Sequence, residues 1–435
     1  MNQDDLRSKA VFGTIKMAWT EFAAFVKENW KMLLLAILIN AILTLGVQWF
    51  IGFQSDYTHY YLSARDSIFT GFTRTYDETY WNLISSMGPY RYLPAFLYVL
   101  FPLTLLPLAW SYVAFYSINM FVSIICYFYL KKICTLMNIQ LASSPGYEIL
   151  MQCIFLILLT WETLIIGQLV LLLGLCLILA FHNFLNGHEF RASILMGISL
   201  FIKPIFAVLA LLMILYPWKK GMLKRAIGIA IPLIPNAIMF LLNIPLLKAF
   251  LEVNFSMQNP HGLYRVNSVS FMNIFAMLDQ QGVMFIIEGC LIAASCLFPV
   301  LLARKETTRD GKLLSVFAAG SFAILIFYQD VWPNQLFPIY TFVILYMIKN
   351  KNALIKKLVI ANVAICLVKE FVFNVMFITG IIPQSLTNTP WGLVSTIVEP
   401  SILIALVVTT ITTNLLTVSI YFALVKHENA GTIQV

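Results

Sequence analysis

Long apolar runs separated by short charged or polar segments dominate this chain. Read between charges, the runs cover 32–51, 109–130, 148–166, 168–186, 191–203, 204–218, 226–246, 283–303, 313–328, 334–348, 355–378 and 400–425. An α-helix needs about 20 mostly apolar residues, at about 1.5 Å each, to cross a bilayer. Most of these runs fit that length, so the pattern predicts a bundle of spanning helices. Two stretches are ambiguous. Residues 93–107 are apolar but short, with prolines at 94, 102 and 107. Residues 191–218 are either one helix kinked at Lys203-Pro204 or two short legs.

The placement of charge decides between these readings, because loops that stay in the cytosol collect lysine and arginine. If 93–107 does not cross and 191–218 is a hairpin, one side holds Lys131, Lys132, Arg191, Lys219, Lys220, Lys224, Arg225, Arg304, Lys305, Arg309, Lys312, Lys349, Lys351, Lys356 and Lys357. The basic residues of the N-terminal segment and Lys426 fall on that side too. Changing either choice alone moves whole clusters to the opposite face. The expected arrangement therefore has twelve spans, both termini in the cytosol, and 93–107 lying flat on the outer face. The two legs of 191–218 are short, at roughly 20 Å each, so they belong inside the bundle. Residues 1–31 form a cytosolic N-terminal segment, and 32–435 the transmembrane domain. In that segment Val11, Phe12, Ile15, Trp19 and Phe22 recur at helical spacing among Lys9, Lys16 and Lys27. Two readings stay open there: an amphipathic helix on the inner membrane surface, or an ordinary lead-in to the first span.

Composition agrees with the pattern. The 435 residues are 60% hydrophobic and only 11% charged, with a mean hydropathy of +0.85. Such a chain is a polytopic membrane protein. Its net charge of +8 does not point to nucleic acid, because the basic residues sit between apolar runs. The seven cysteines lie in apolar helices or, for Cys134, in a basic loop. Structural disulfides are not expected, and no cysteine spacing suggests a metal site.

The first outer loop, 53–108, is polar and rich in aromatics. Asp56 stands where the first apolar run ends, followed by Tyr57, His59, Tyr60 and Tyr61, and later by Arg91-Tyr92-Leu93-Pro94. An acid just after the first span, then Tyr60-Tyr61, Tyr92-Leu93-Pro94 and Leu106-Pro107, resembles the first outer loop of the GT-C class of glycosyltransferases. More narrowly it resembles glycosyltransferase family 87, the polyprenyl-phosphate-mannose type. Gly167-Gln168 before a leucine run and Phe201-Ile202-Lys203-Pro204 continue the likeness, which covers the first half of the chain well and the second half poorly. The resemblance implies an all-α, polytopic transmembrane helix bundle of GT-C type with about 12 spans. It also implies two juxtamembrane helices, near 57–71 and 93–106.

Transfer of a sugar from a lipid phosphate needs little machinery. The phosphate is already a good leaving group, so it needs stabilisation of charge. The acceptor hydroxyl needs a base, and one carboxylate suffices for a single inverting displacement. Asp56 is the candidate base; its bland reading is a solvated acid at a helix end. Glu162 lies near the outer end of a span, where a charge is costly unless paired or used. Asp330 stands at another outer turn, beside Trp332. Relatives often carry a histidine near that tryptophan, whereas here Asn334 stands nearby, which leaves a histidine role at this turn without a residue. Asp66, Asp77 and Glu78 read as structural or solvated. Lys203, Arg265 and Lys369 are the candidate cations for donor phosphate, against structural ion pairs or snorkelling. Tyr57, His59, Tyr60, Tyr61 and Gln168 complete the candidate substrate contacts.

These residues, taken with the resemblance, point to an integral membrane glycosyltransferase. Its expected donor is a polyprenyl-phosphate sugar, with mannose one candidate, and its acceptor a glycolipid or glycan on the extracytoplasmic face. No metal and no cofactor is expected, and the partners are these substrates and membrane lipid. No Asp-x-Asp and no glycine-rich phosphate loop occurs for a nucleotide sugar. The rival class, a transporter or lipid-linked sugar flippase, predicts charges near the bilayer midplane and related halves with broken helices.

Overall fold

The computed structural model describes residues 3–50, 56–77, 79–81, 90–139, 145–215, 221–255, 271, 281–327, 331, 335–378 and 399–426. Helix is the only regular structure among them. Helix α1 spans Gln3–Phe50 without interruption, so the N-terminal segment and the first apolar run form one rod. The first loop holds α2, Asp56–Phe69, and α3, Phe96–Leu100, which continues as a 3-10 turn over Phe101–Leu105. Helix α4 is Leu108–Leu136. Next come α5, Pro145–Gln152, a π-helical stretch, Cys153–Leu158, and α6, Leu159–Ile166. Helix α7 is Val170–Leu185, α8 is Glu189–Ile202 and α9 is Ala207–Leu215. Helices α10, Met222–Ala230, and α11, Ile234–Leu242, are joined by a 3-10 turn over Ile231–Leu233. The remainder is α12, Ile244–Phe255; α13, Gln281–Lys305; α14, Arg309–Phe322; α15, Ile324–Phe327; α16, Leu336–Lys349; α17, Ala353–Ile378; and α18, Pro400–Lys426.

Four helical stretches among the described residues are long and apolar enough to cross a membrane: Lys16–Trp49, Leu108–Leu136, Met222–Leu242 and Pro400–Leu424. They expose apolar side chains outward, Ile42 at 71% and Leu241 at 76%. Water disfavours such a surface and lipid accepts it. The centre is built from α7 and α16, both apolar and buried nearly all round, as core helices are. Phe181, Phe317 and Phe342 interlock there with ring centroids 4.8–5.3 Å apart.

Side-chain bonds sort the helix ends into two groups. At one end Lys131 meets Glu28 and Glu148, and Lys132 meets Glu21. Arg309 Nη2 donates to the Phe184 carbonyl at 3.1 Å, and Lys349 pairs with Glu306 at 3.4 Å. At the opposite end Gln48 donates to the Ile165 carbonyl, and Tyr57 bonds Ser111. Helices α1, α4 and the α5–α6 unit therefore each run from one end to the other.

Arg225 settles the ambiguous stretch 191–218. It is fully buried; its Nη1 donates to Glu189 Oε2 at 3.0 Å and its Nη2 to the Ile214 carbonyl at 3.0 Å. In a continuous helix those two residues would stand about 38 Å apart. One guanidinium holds both, so the chain reverses between them. The reversal is at Lys203, whose φ of −153° and ψ of 119° are extended. Proline crowds the residue before it out of helical space, and Pro204 supplies that constraint. The hairpin tip therefore lies away from the Arg225 end. Gly197 lets α8 approach the α10–α11 unit, since a Cβ there would lie 2.3 Å from the Ile229 carbonyl oxygen, the small-residue contact common between membrane helices.

The stretch 93–107 starts and finishes at one end of the bundle. Tyr92, before it, bonds Tyr60 of α2, and Ser111, after it, bonds Tyr57 of the same helix. Its ten helical residues span well under the bilayer core. The seven cysteines are unbridged.

Candidate functional site

Helix α2 distributes its residues over three faces by the i, i+4 rule. Tyr57 and Tyr61 face the base of the loop. The Tyr57 hydroxyl bonds Ser111, its ring lies 4.4 Å from that of Phe115, and Tyr61 donates to the Leu106 carbonyl at 2.9 Å. Burial pushes the Tyr57 phenol up to about 12, so it remains a neutral donor. His59 is buried on a second face, its ring against Trp81 at 5.3 Å and near Tyr90 at 6.4 Å. Asp56 and Tyr60 share the third face. Asp56 opens the helix, where the first-turn amides and the macrodipole favour a negative charge, and it is half-buried.

The third face meets the turn between α6 and α7. Gly167 ends α6 at φ 74°, with its N–H donating to Leu164 and that of Gln168 to Thr163. These are the two bonds of a Schellman ending, which needs a left-handed residue and so favours glycine. The ending aims the buried Gln168 side chain back at α2. Its Nε2 donates to Asp56 Oδ2. Its Oε1 accepts from the Tyr60 hydroxyl at 2.9 Å. Tyr60 O lies 2.9 Å from the Tyr92 hydroxyl. Because Tyr60 has one proton, committed to an amide oxygen that can only accept, Tyr92 must donate in that second bond. Burial, with Tyr92 and Asp56 nearby, pushes the Tyr60 phenol well above its usual range. Lys203 Nζ sits 5.1 Å from the centre of the Tyr92 ring, within cation–π range. Phe96 against Phe201, at 5.9 Å, packs α3 on the end of α8 and brings the hairpin tip to Tyr92.

Five side chains from four separated segments therefore form one cluster: Asp56, Tyr60, Tyr92, Gln168 and Lys203. It joins a carboxylate, an amide, two phenols and an ammonium at the end of the bundle opposite Lys131, Lys132 and Arg225. Such a set can accept a proton at one end and hold an anion at the other. A second cluster braces the loop from outside. Tyr76 donates to the Tyr92 carbonyl at 2.6 Å, Tyr80 to Asp66 Oδ1 at 2.7 Å, and the Ala95 N–H to Asn236 Oδ1 at 2.9 Å.

The other sequence candidates fall differently. Arg265 and Asp330 lie outside the described residues. Glu162 lies in α6 and Lys369 in α17, with side chains outside the described set. Tyr57, His59 and Tyr61 pack within the loop through the contacts given above. Tyr92 is the residue that sequence reasoning left without a role. The signal was present in Tyr92-Leu93-Pro94, but nothing in a linear motif says that its ring would meet a lysine 111 positions later.

The family model for glycosyltransferase family 87 matches residues 90–327, more than half of the chain. The match takes in Tyr92, Gln168 and Lys203 and begins after Asp56 and Tyr60. No curated protein and no solved structure matches the chain.

Proposed function

The chain belongs to glycosyltransferase family 87, and we propose that it moves a monosaccharide from a polyprenyl-phosphate donor to a hydroxyl of a glycolipid or glycan, with inversion. The observation that carries this reading is the joining of Asp56 to Lys203 through Gln168, Tyr60 and Tyr92 at the end away from the basic clusters. Asp56 takes the acceptor's proton as its oxygen attacks the anomeric carbon, and the bond from that carbon to the phosphate oxygen breaks. The departing polyprenyl phosphate carries the displaced electron pair, and Lys203 offsets its charge. Arg265 and Lys369 are further candidates for phosphate contact, and Glu162 and Asp330 for the acceptor. Lysine and arginine collect on the cytosolic side of membrane proteins, so the active site faces the extracytoplasmic side. In the twelve-span arrangement the α2–α3 loop rests at the bilayer surface, where a sugar phosphate on a prenyl chain sits. Mannose is the first sugar to test.

A transporter reading asks for charges midway along the spans, whereas Lys203 occupies a hairpin tip. The test is transfer by purified protein in detergent from a synthetic prenyl-phosphate sugar, with no nucleotide present. Turnover is expected. Direct use of a nucleotide sugar, in a preparation free of prenyl phosphate and its sugar conjugates, would overturn the reading.

A further inference from the structure

Gln168 holds an unusual post: a buried amide whose two ends face partners of opposite demand. Its NH₂ meets the Asp56 carboxylate, which can only accept while ionised, and its oxygen meets the Tyr60 hydroxyl. Turning the amide over would set oxygen against carboxylate oxygen. We propose that Gln168 is the positioning residue of the base, fixing the Asp56 carboxylate in rotation and holding it as an acceptor. The proposal rests on the glycosyl-transfer reading and deepens it.

Three features of the structure support it. First, the chain of bonds has one direction. Tyr92 donates to Tyr60, Tyr60 to Gln168 and Gln168 to Asp56, so every donor points toward the carboxylate. Second, the buried Tyr60 phenol keeps its proton, so the amide stays locked. Third, Gln168 is anchored through its own backbone, because the left-handed Gly167 and the Thr163 carbonyl set where its side chain starts. A general base must be unprotonated and correctly aimed when the acceptor arrives. Hydrogen bonds to an ionised carboxylate favour that ionised form, and misplacement of a reacting group by about 1 Å can cost about a hundredfold in rate. Among the described residues, the titratable groups on the bonded path from the carboxylate are Tyr60 on its own helix, Tyr92 on the segment before α3 and Lys203 at the hairpin tip.

The sign of the pH effect follows. Activity rises with pH as the base loses its proton. Removing the amide donor raises the pKa of the base, so the acidic limb of the kcat/KM profile moves to higher pH. A glutamate in its place moves it further, by adding a like charge. The experiment compares Gln168→Leu, Gln168→Glu and Tyr60→Phe with the parent protein, each in detergent and checked by thermal unfolding. In the two Gln168 variants kcat is expected to fall about tenfold to a hundredfold, with donor KM within about twofold and the acidic limb displaced upward. Tyr60→Phe, which frees the amide to turn, is expected to give a smaller change of the same kind. If Gln168→Leu does not fold, the isosteric Gln168→Glu and Tyr60→Phe carry the test. An unmoved acidic limb, or a loss confined to donor or acceptor KM, overturns the positioning role. Absence of transfer by the parent protein would instead sink the glycosyl-transfer reading, and near-normal turnover in Asp56→Asn would remove Asp56 as its base, so these failures are told apart from failure of the positioning role.

Discussion

Two polar clusters on different helices differ in a way that separates candidate chemistry from packing. The first runs from Asp56 to Lys203. The second lies between α16, α17 and α18. There Tyr340 donates to Asn362 Oδ1 at 2.6 Å, and Asn362 Nδ2 donates to the Thr413 carbonyl at 3.1 Å and Thr417 Oγ1 at 3.2 Å. These four residues are essentially inaccessible and neutral, and the three bonds each join two helices, with Cys366 Sγ adding a contact to Asn362 Oδ1 within α17. Membrane helices use such bonds as modest glue. The first cluster has formal charge at both ends, and both charged residues are half-buried, not sealed. Charge half out of water at a loop is costly to keep and useful to a substrate. Closure suits the second cluster to packing, and charge at an accessible boundary makes the first the candidate site.

The sharpest way to break that distinction is Asp56→Asn. The change keeps size and removes proton acceptance. In purified protein kcat is expected to fall by roughly 10²-fold or more, with thermal unfolding little altered. A fold that collapsed with activity would place Asp56 with the structural cluster instead.

Lys203→Ala is expected to act next most strongly, and on binding. Charge-assisted contact with phosphate is worth roughly 1.5–3 kcal/mol, so donor KM should rise by about tenfold or more while acceptor KM changes little. The position also lies at the reversal that Pro204 imposes, so Lys203→Arg serves as the control that keeps the charge. Unchanged donor affinity in Lys203→Ala would remove the residue from the site and leave it as a hairpin-tip cation stacked on Tyr92.

Much of this was legible in the chain because local rules govern it. Apolar runs marked the helices, and the placement of lysine and arginine favoured a hairpin over a single kinked helix at 191–218. Asp56 was singled out by its place after an apolar run together with the family resemblance of the residues around it, since an acid at a helix end can equally be a solvated one. The partnerships were not legible. Tyr57, Tyr60 and Tyr61 read alike in a linear motif, and only the turn of α2 sends one to the amide and two to packing. Gln168 read as part of a Gly-Gln pair; that its amide would face Asp56, 112 residues away, depends on how α1, α4 and α6 assemble. The π-helical stretch at Cys153–Leu158 carried no sequence signal either. It packs against α1, where Asn40 Nδ2 donates to the Leu156 carbonyl at 2.9 Å, a tertiary bond that composition does not announce.

The smallest expected effect on activity tests the other half of the comparison. Asn362→Leu removes the acceptor of the Tyr340 hydroxyl and the donor to α18, while keeping the branched four-atom skeleton of the side chain. A buried hydroxyl left without a partner costs about 1 kcal/mol or somewhat more, and bonds between membrane helices average below that. Unfolding is therefore expected at a lower temperature, or at a lower denaturant concentration, by an amount near 1 kcal/mol. The kcat and both KM values of the folded fraction should stay within about twofold, because the three bonds given above run between α16, α17 and α18. Tyr340→Phe, which deletes the hydroxyl together with its need for a partner, should destabilise less than Asn362→Leu, since no buried donor is then stranded. If Asn362→Leu lowered kcat tenfold with no loss of stability, the neutral cluster would belong to the reaction, and closure among helices would no longer serve to tell packing from chemistry in this fold.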